Sequence, residues 1–218
     1  LIKIMACHDR LEFTDAELEA VIDEAHRNGL PITAHATFDA CIRRVVEFGI
    51  DVVEHAGSMS DETIQLMLDR KVPIVTTFSA VVMQANAEVA RKYNIPEWKI
   101  EERQKAMADP SRYNDIVKAA KAGVPIAFGT DAGSPVVQHN VIVPEMKFMI
   151  KLGVVEGNYG AIHSATDVAA RLNKLDSKLG TLEAGKLADV IVVKGNPLED
   201  LIALESVVMT FKEGKRLV

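Results

Sequence analysis

Four polar side chains stand where apolar runs end or inside one, and their types point to one kind of chemistry. His35 closes Pro31-Ile32-Thr33-Ala34, His55 closes Val52-Val53-Glu54, and Asp131 follows Phe128-Gly129-Thr130 and leads into the turn Ala132-Gly133. Lys3 lies within Leu1-Ile2-Lys3-Ile4-Met5-Ala6, where an unpaired ammonium is costly if both strand faces are covered; a lysine exposed at a chain start is the plain alternative. One histidine at a strand end is more often a satisfied core residue, and one aspartate before a glycine is more often a turn or capping residue. Two histidines at the same end of consecutive strands shift that balance, because neighbouring strand tips in a parallel strand-helix barrel meet. Imidazole, imidazole and carboxylate make a donor set for a first-row divalent metal, with Zn²⁺ favoured by ligand type. Nucleophile and phosphate chemistry find no matching motif: there is no Gly-x-Ser-x-Gly and no Gly-x-x-x-x-Gly-Lys-Ser/Thr.

Bringing such tips together requires strands alternating with helices. Mostly apolar runs at 1–6, 31–36, 52–56, 72–79 and 125–130 read as parallel strands covered on both faces. Between them, Thr14 followed by Asp15-Ala16-Glu17 opens a helix to His26, residues 38–48 form a second, Ser60-Asp61-Glu62 opens a third to about 70, and 111–122 form a fourth. Residues 81–110 interrupt the rhythm as a helical insertion, and 161–172 read as helix. After 172 the texture becomes turn-rich, with β-like runs at 189–193 and 207–211. The fold class is α/β, a parallel sheet with a small β appendage.

The balance of the chain narrows the partners. Its 218 residues are 48% hydrophobic, ample for a core, and 25 Lys+Arg against 31 Asp+Glu leave a net charge of −6. No basic run suggests nucleic acid, and no apolar stretch nears the roughly 18 residues of a membrane span. Two cysteines are too few for a disulfide scaffold, which makes a reducing, cytoplasmic location the expectation. The first residues read as the interior of a strand with no initiator Met, so the chain is expected to start mid-fold.

The segments Ile2-Lys3-Ile4, Ala34-His35-Ala36, Glu54-His55-Ala56-Gly57 and Gly129-Thr130-Asp131-Ala132-Gly133 resemble, in order and spacing, the amidohydrolase superfamily, above all its imidazolonepropionase-like and prolidase-like members. The stretch Leu179-Gly180-Thr181-Leu182-Glu183-Ala184-Gly185-Lys186-Leu187-Ala188-Asp189 is similar to the return from barrel to β-sandwich in those proteins. The resemblance implies the C-terminal part, strands four to eight, of a (β/α)₈ TIM barrel over residues 1–172, with a β-sandwich portion over 173–218. It implies Lys3, His35, His55 and Asp131 as ligands of one or two divalent ions, Zn²⁺ first, with Asp131 as the catalytic base and then proton donor. In two-metal members the strand-four lysine is carboxylated; an unmodified Lys3 would fit a one-metal arrangement. The family's strand-one His-x-His pair has no counterpart, since none of the six histidines are two apart.

The implied activity is metal-dependent hydrolysis of the C–N bond of small dipeptide-like or N-acyl amino acid substrates. Opening of a cyclic amide, as in imidazolonepropionase, is the alternative, as is an inactive fragment or a subunit completed by a missing N-terminal half. A homo-oligomer, or completion by that half, is the expected assembly. His139, with Asn140, is the candidate contact for a substrate carboxylate. His8 reads as a solvated loop residue, His26 as a structural residue at a helix C-terminus, and His163 as a helix-surface position.

Overall fold

The computed structural model describes residues 1–7 and 10–218; His8 lies outside the described residues. Five strands, β1 (Ile2–Met5), β2 (Ile32–Ala36), β3 (Val52–His55), β4 (Ile74–Val75) and β5 (Ile126–Ala127), form one parallel sheet in chain order. Helices α1 (Asp15–Arg27), α2 (Asp39–Glu47) and α3 (Asp61–Arg70) connect the first four strands. Their starts follow from local chemistry. Thr14 and Glu17 form a reciprocal capping box, with Thr14 N–H donating to Glu17 Oε2 at 2.8 Å, and Ser60 Oγ accepts from Thr63 N–H at 3.3 Å.

Register decides which side chains share a face. Lys3 pairs with Thr33, Met5 with His35, and His35 with Glu54, so Lys3, Met5, Thr33, His35 and Glu54 project to one side. The alternating set, Ile4, Ile32, Ala34, Ala36 and Val53, is buried on the other side with Leu18, Ile22, Ile42, Val45, Ile64 and Met67 of the helices. This alternation resolves the oddity of Lys3, which belongs to the polar face of a strand whose other face is core.

Two expected strands are shorter than the runs at 72–79 and 125–130. Thr76 N–H still reaches Ala127 O at 3.0 Å, but Phe78 and Ser79 N–H turn to the carboxylate of Glu145, which ends the ladder. After β5 the N–H of Phe128 bonds Ser164 O instead of a strand. The insertion consists of α4 (Ser79–Gln84), α5 (Ala87–Lys92) and α6 (Glu97–Ala108), followed by a 3₁₀ turn, Pro110–Tyr113. It packs over the loop after β5: Gln84 Nε2 donates to Pro135 O at 3.2 Å and Gln138 Nε2 to Tyr93 OH at 2.9 Å.

Helix α7 (Asn114–Ala122) leads into β5, and α8 (Ile142–Leu152) follows its loop. The expected helix at 161–172 is α9 (Gly157–His163), a π-helical turn over Ser164–Val168, and α10 (Ala169–Leu172). In the tail, β6 (Val190–Val193), β7 (Val207–Lys212) and β8 (Lys215–Arg216) form a three-stranded antiparallel sheet. Leu201, between β6 and β7, is buried with Val143, Met146 and Ala161 and ties this sheet to α8. Among the described residues no helix is long and apolar enough to cross a membrane.

Cys7, just past β1, and Cys41, on α2, are joined as a disulfide with both residues fully buried. This departs from the thiol state that goes with a reducing compartment. Alkylation of the denatured, non-reduced protein, read residue by residue by mass spectrometry, is expected to leave both cysteines unlabelled until a reductant is added.

Candidate functional site

The parallel register sets the tips of β2 and β3 side by side, and their histidines meet: the His35 and His55 rings lie 4.5 Å apart between centroids at 63°. His55 is in left-handed backbone (φ 70°), as are Ala56 (50°) and Asp131 (54°). Left-handed backbone is uncommon and costly for non-glycine residues, and three of those that adopt it here lie at or after the ends of β3 and β5. The turn at His55 departs from strand geometry and carries Nδ1 to Thr77 Oγ1, 2.5 Å away past the end of β4. With Nδ1 engaged, Nε2 is the ring nitrogen left for a cation or substrate.

Burial pushes the His55 pKa below the ordinary histidine value, and the Lys3 ammonium adds to that, while the Asp131 and Glu54 carboxylates oppose it. The ring is therefore neutral at neutral pH, the form a metal ligand requires. Of the four residues singled out in the sequence, the structure brings His35 and His55 into ring contact and sets Lys3 on the same face of the sheet as His35.

They do not converge as a finished cage. Lys3 Nζ is ion-paired with the Glu54 carboxylate, whose Oε1 also accepts from Thr33 Oγ1 at 2.8 Å. Among the described residues, no group of three or more His, Cys, Asp and Glu side chains is close enough to hold a metal ion. The donor types still suit a divalent cation, because two imidazoles meet at the tips of β2 and β3 and an exposed carboxylate follows β5.

His139 lies exposed in the loop after β5, beside Gln138 that bonds Tyr93, and the structure does not bring it to the histidine pair. Glu54 and Thr77 are the residues that sequence reading missed. Glu54 stood inside a recognised segment, and its signal was a carboxylate two residues from the row that carries Lys3 and Thr33. Thr77 offered no signal, since a threonine near a strand end is ordinary.

The motif glycines have a plain physical role. A Cβ on Gly57 would fall 2.1 Å from Thr37 O, and one on Gly129 would fall 2.4 Å from Val75 Cγ1 and 2.9 Å from Thr76 O. Bare backbone at these points lets adjacent strand tips close on one another.

Comparison with known proteins agrees with this arrangement. An uncharacterised protein of Mycobacterium tuberculosis is 32% identical over 143 residues, covering 65% of this chain and 37% of that protein. Ochratoxinase of Aspergillus niger is 30% identical over 212 residues, covering 94% of this chain and 41% of the enzyme. The crystal structure of a Xaa-Pro dipeptidase with methionine bound in its active site superposes with a TM-score of 0.79 at 34% identity, covering 99% of this chain and 53% of that one. The chain spans about two fifths of the length of these curated relatives, 37% and 41%. The profile of the amidohydrolase family matches residues 2–217, nearly the whole chain, which therefore belongs to the amidohydrolase family.

Proposed function

We propose that the protein containing this chain is a metal-dependent hydrolase of C–N bonds, acting on amides of dipeptide-like or N-acyl amino acid substrates. The observation that carries this reading is the meeting of the His35 and His55 rings, 4.5 Å apart between centroids, at the tips of β2 and β3. Family membership supports the metal dependence and the bond type. The Xaa-Pro dipeptidase, by its name and its bound methionine, supports an amino-acid-derived substrate. In this reading residues 1–172 are the strand-four to strand-eight portion of a (β/α)₈ barrel and 173–218 a portion of a β-sandwich.

A divalent ion such as Zn²⁺, held by His35, His55 and Asp131, would supply a lowered water pKa and polarisation of the amide carbonyl. Asp131, exposed at its strand tip, accepts the proton of the attacking water and returns it to the leaving amine, so that the carboxylate is regenerated. His55, held at Nδ1 by Thr77, presents Nε2 in a fixed direction. An unmodified Lys3, paired with Glu54, belongs to the one-metal form; a carboxylated Lys3 would set a second anion beside Glu54 and belongs to the two-metal form. Bicarbonate labelled with carbon-13 separates the two, because only a carboxylated Lys3 gives a carbamate signal. His139 is the proposed contact for a substrate carboxylate. A cytoplasmic location is the reading from cysteine usage.

Metal analysis and hydrolysis of Xaa-Pro and N-acyl amino acid substrates by the full-length protein test the proposal. His55→Ala is expected to lose bound metal and hydrolysis together. Asp131→Asn is expected to lower kcat/KM by about 10²–10⁴-fold, a larger loss than its loss of metal. A well-folded protein that takes up no divalent metal when supplemented, or a His55→Ala variant with unchanged hydrolysis, would overturn it.

A further inference from the structure

Glu145 is a fully buried carboxylate that the proposed chemistry does not use. It lies in the first turn of α8, among Val143, Met146, Phe148 and Met149, and points into the junction of β4 and α4. There it accepts three hydrogen bonds: Phe78 N–H to Oε1 at 3.0 Å, and Ser79 N–H and Ser79 Oγ–H to Oε2 at 2.5 and 2.7 Å. Both residues follow directly on Thr77, whose Oγ1 meets Nδ1 of His55. The ring of Phe78 is held in turn by Tyr113 and Phe148, at 5.1 and 5.4 Å between centroids.

For stability alone this is an expensive design, because a packed apolar side chain is often neutral or better than a buried ionisable group. What the carboxylate adds is direction: two successive backbone N–H groups and a hydroxyl are fixed by one rigid acceptor. That fixes the peptide planes next to Thr77, the side chain that sets the orientation of His55. Three consecutive strand ends are linked in this way: the helix after the Asp131 loop grips the turn after β4, and that turn grips the ring at the tip of β3.

We infer that Glu145 is a positioning residue of the site, holding the β4–α4 turn so that Thr77 Oγ1 stays bonded to Nδ1 of His55 and keeps the ring in one orientation, a bond whose loss the tautomer balance of the ring reports. The inference builds on the reading of His55 as a metal ligand, but its test does not require a metal. The probe is the nitrogen-15 and proton spectrum of the His55 imidazole in the metal-free, full-length protein, at a pH where the ring is neutral.

The wild type is expected to show a single tautomer. Thr77→Val is expected to give a mixture of the two, Thr77→Ser to keep the wild-type signal, and Glu145→Gln, which preserves size but offers one acceptor oxygen in place of two, to move in the direction of Thr77→Val. Zn²⁺ affinity is expected to fall in the same order. A folded Glu145→Gln variant with a wild-type His55 signal overturns the inference and leaves Glu145 a cap of α4. A Thr77→Val variant with that signal also overturns it. Should Glu145→Gln not fold, Glu145→Asp decides by the same signal, since its shortened carboxylate is expected to shift the tautomer and a wild-type signal overturns the inference. If the tautomers move as expected while no Zn²⁺ binds to any variant, the inference stands and the metal reading fails.

Discussion

Alanine at Gly57 is expected to cost about 3 kcal/mol of stability, at the upper end of what overpacking a tight site incurs. The added methyl would sit 2.1 Å from the carbonyl oxygen of Thr37, a backbone atom that cannot rotate away. Either β2 and β3 separate at their tips or the chain after His55 takes a different path, and both disturb the ring contact of His35 with His55. Gly133→Ala is the matched control. A Cβ there meets nothing within 4 Å, so only the left-handed φ of 103° is penalised, at about 1 kcal/mol. Gly129→Ala falls between the two, because one of its close neighbours is the Val75 side chain, which can shift, and the other is the fixed oxygen of Thr76. Urea unfolding of the three variants gives the ranking. If Gly57→Ala unfolds no more easily than Gly133→Ala, close strand approach is not what that glycine provides.

The contrast between these glycines shows what a sequence displays and what it hides. Strand-helix alternation was legible because parallel strands are apolar throughout and helix starts carry caps such as Thr14 with Glu17 and Ser60 with Thr63. His35, His55 and Asp131 were legible because a polar group that ends an apolar run has to go somewhere, and the strand tips are where it goes. The partners of these residues were not legible. The pairing of Lys3 with Glu54 depends on a register that sets them on one face across an intervening strand, and 51 residues of chain separate them. Thr77 reaches His55 only because His55 leaves strand geometry at φ 70°. The strand run at 72–79 was read too long for a related reason: Glu145, 66 residues beyond Ser79, takes the hydrogen bonds that a further strand residue would have given to its neighbour. The sheet of the tail was visible as two β-like runs, while its tie to α8 through Leu201 was not, since one leucine in a turn carries no pattern.

The stability of the protein is expected to carry a pH signature that belongs to Glu145 and disappears in Glu145→Gln. Burial raises this carboxyl from 4.5 to about 7, against the lowering effect of the hydrogen bonds from Ser79 and Phe78. A pKa raised in the folded state means that the fold prefers the protonated acid. Its contribution is therefore fully present below about 4.5, falls as the pH rises toward 7, and is flat above that. The span of 4.5 to about 7 corresponds to about 3 kcal/mol. The structure has a place for the proton: Ser79 Oγ can accept from Oε2 and turn its own hydrogen to Val141 O, 3.5 Å away. Tyr113 does not confuse the measurement, because burial pushes its phenol upward, away from this window.

Glutamine loses one acceptor and sets an N–H₂ group against a backbone donor, which costs about 1–3 kcal/mol at any pH. The difference between wild type and Glu145→Gln is then largest near pH 4.5 and shrinks, or reverses sign, by pH 8. Other titrating groups are common to both proteins and cancel in the difference. Urea unfolding of both at pH 5, 6, 7 and 8 reads it directly. A difference that stays constant across that series would mean that Glu145 is ionised throughout, its three donors holding it below the range in which burial alone would place it.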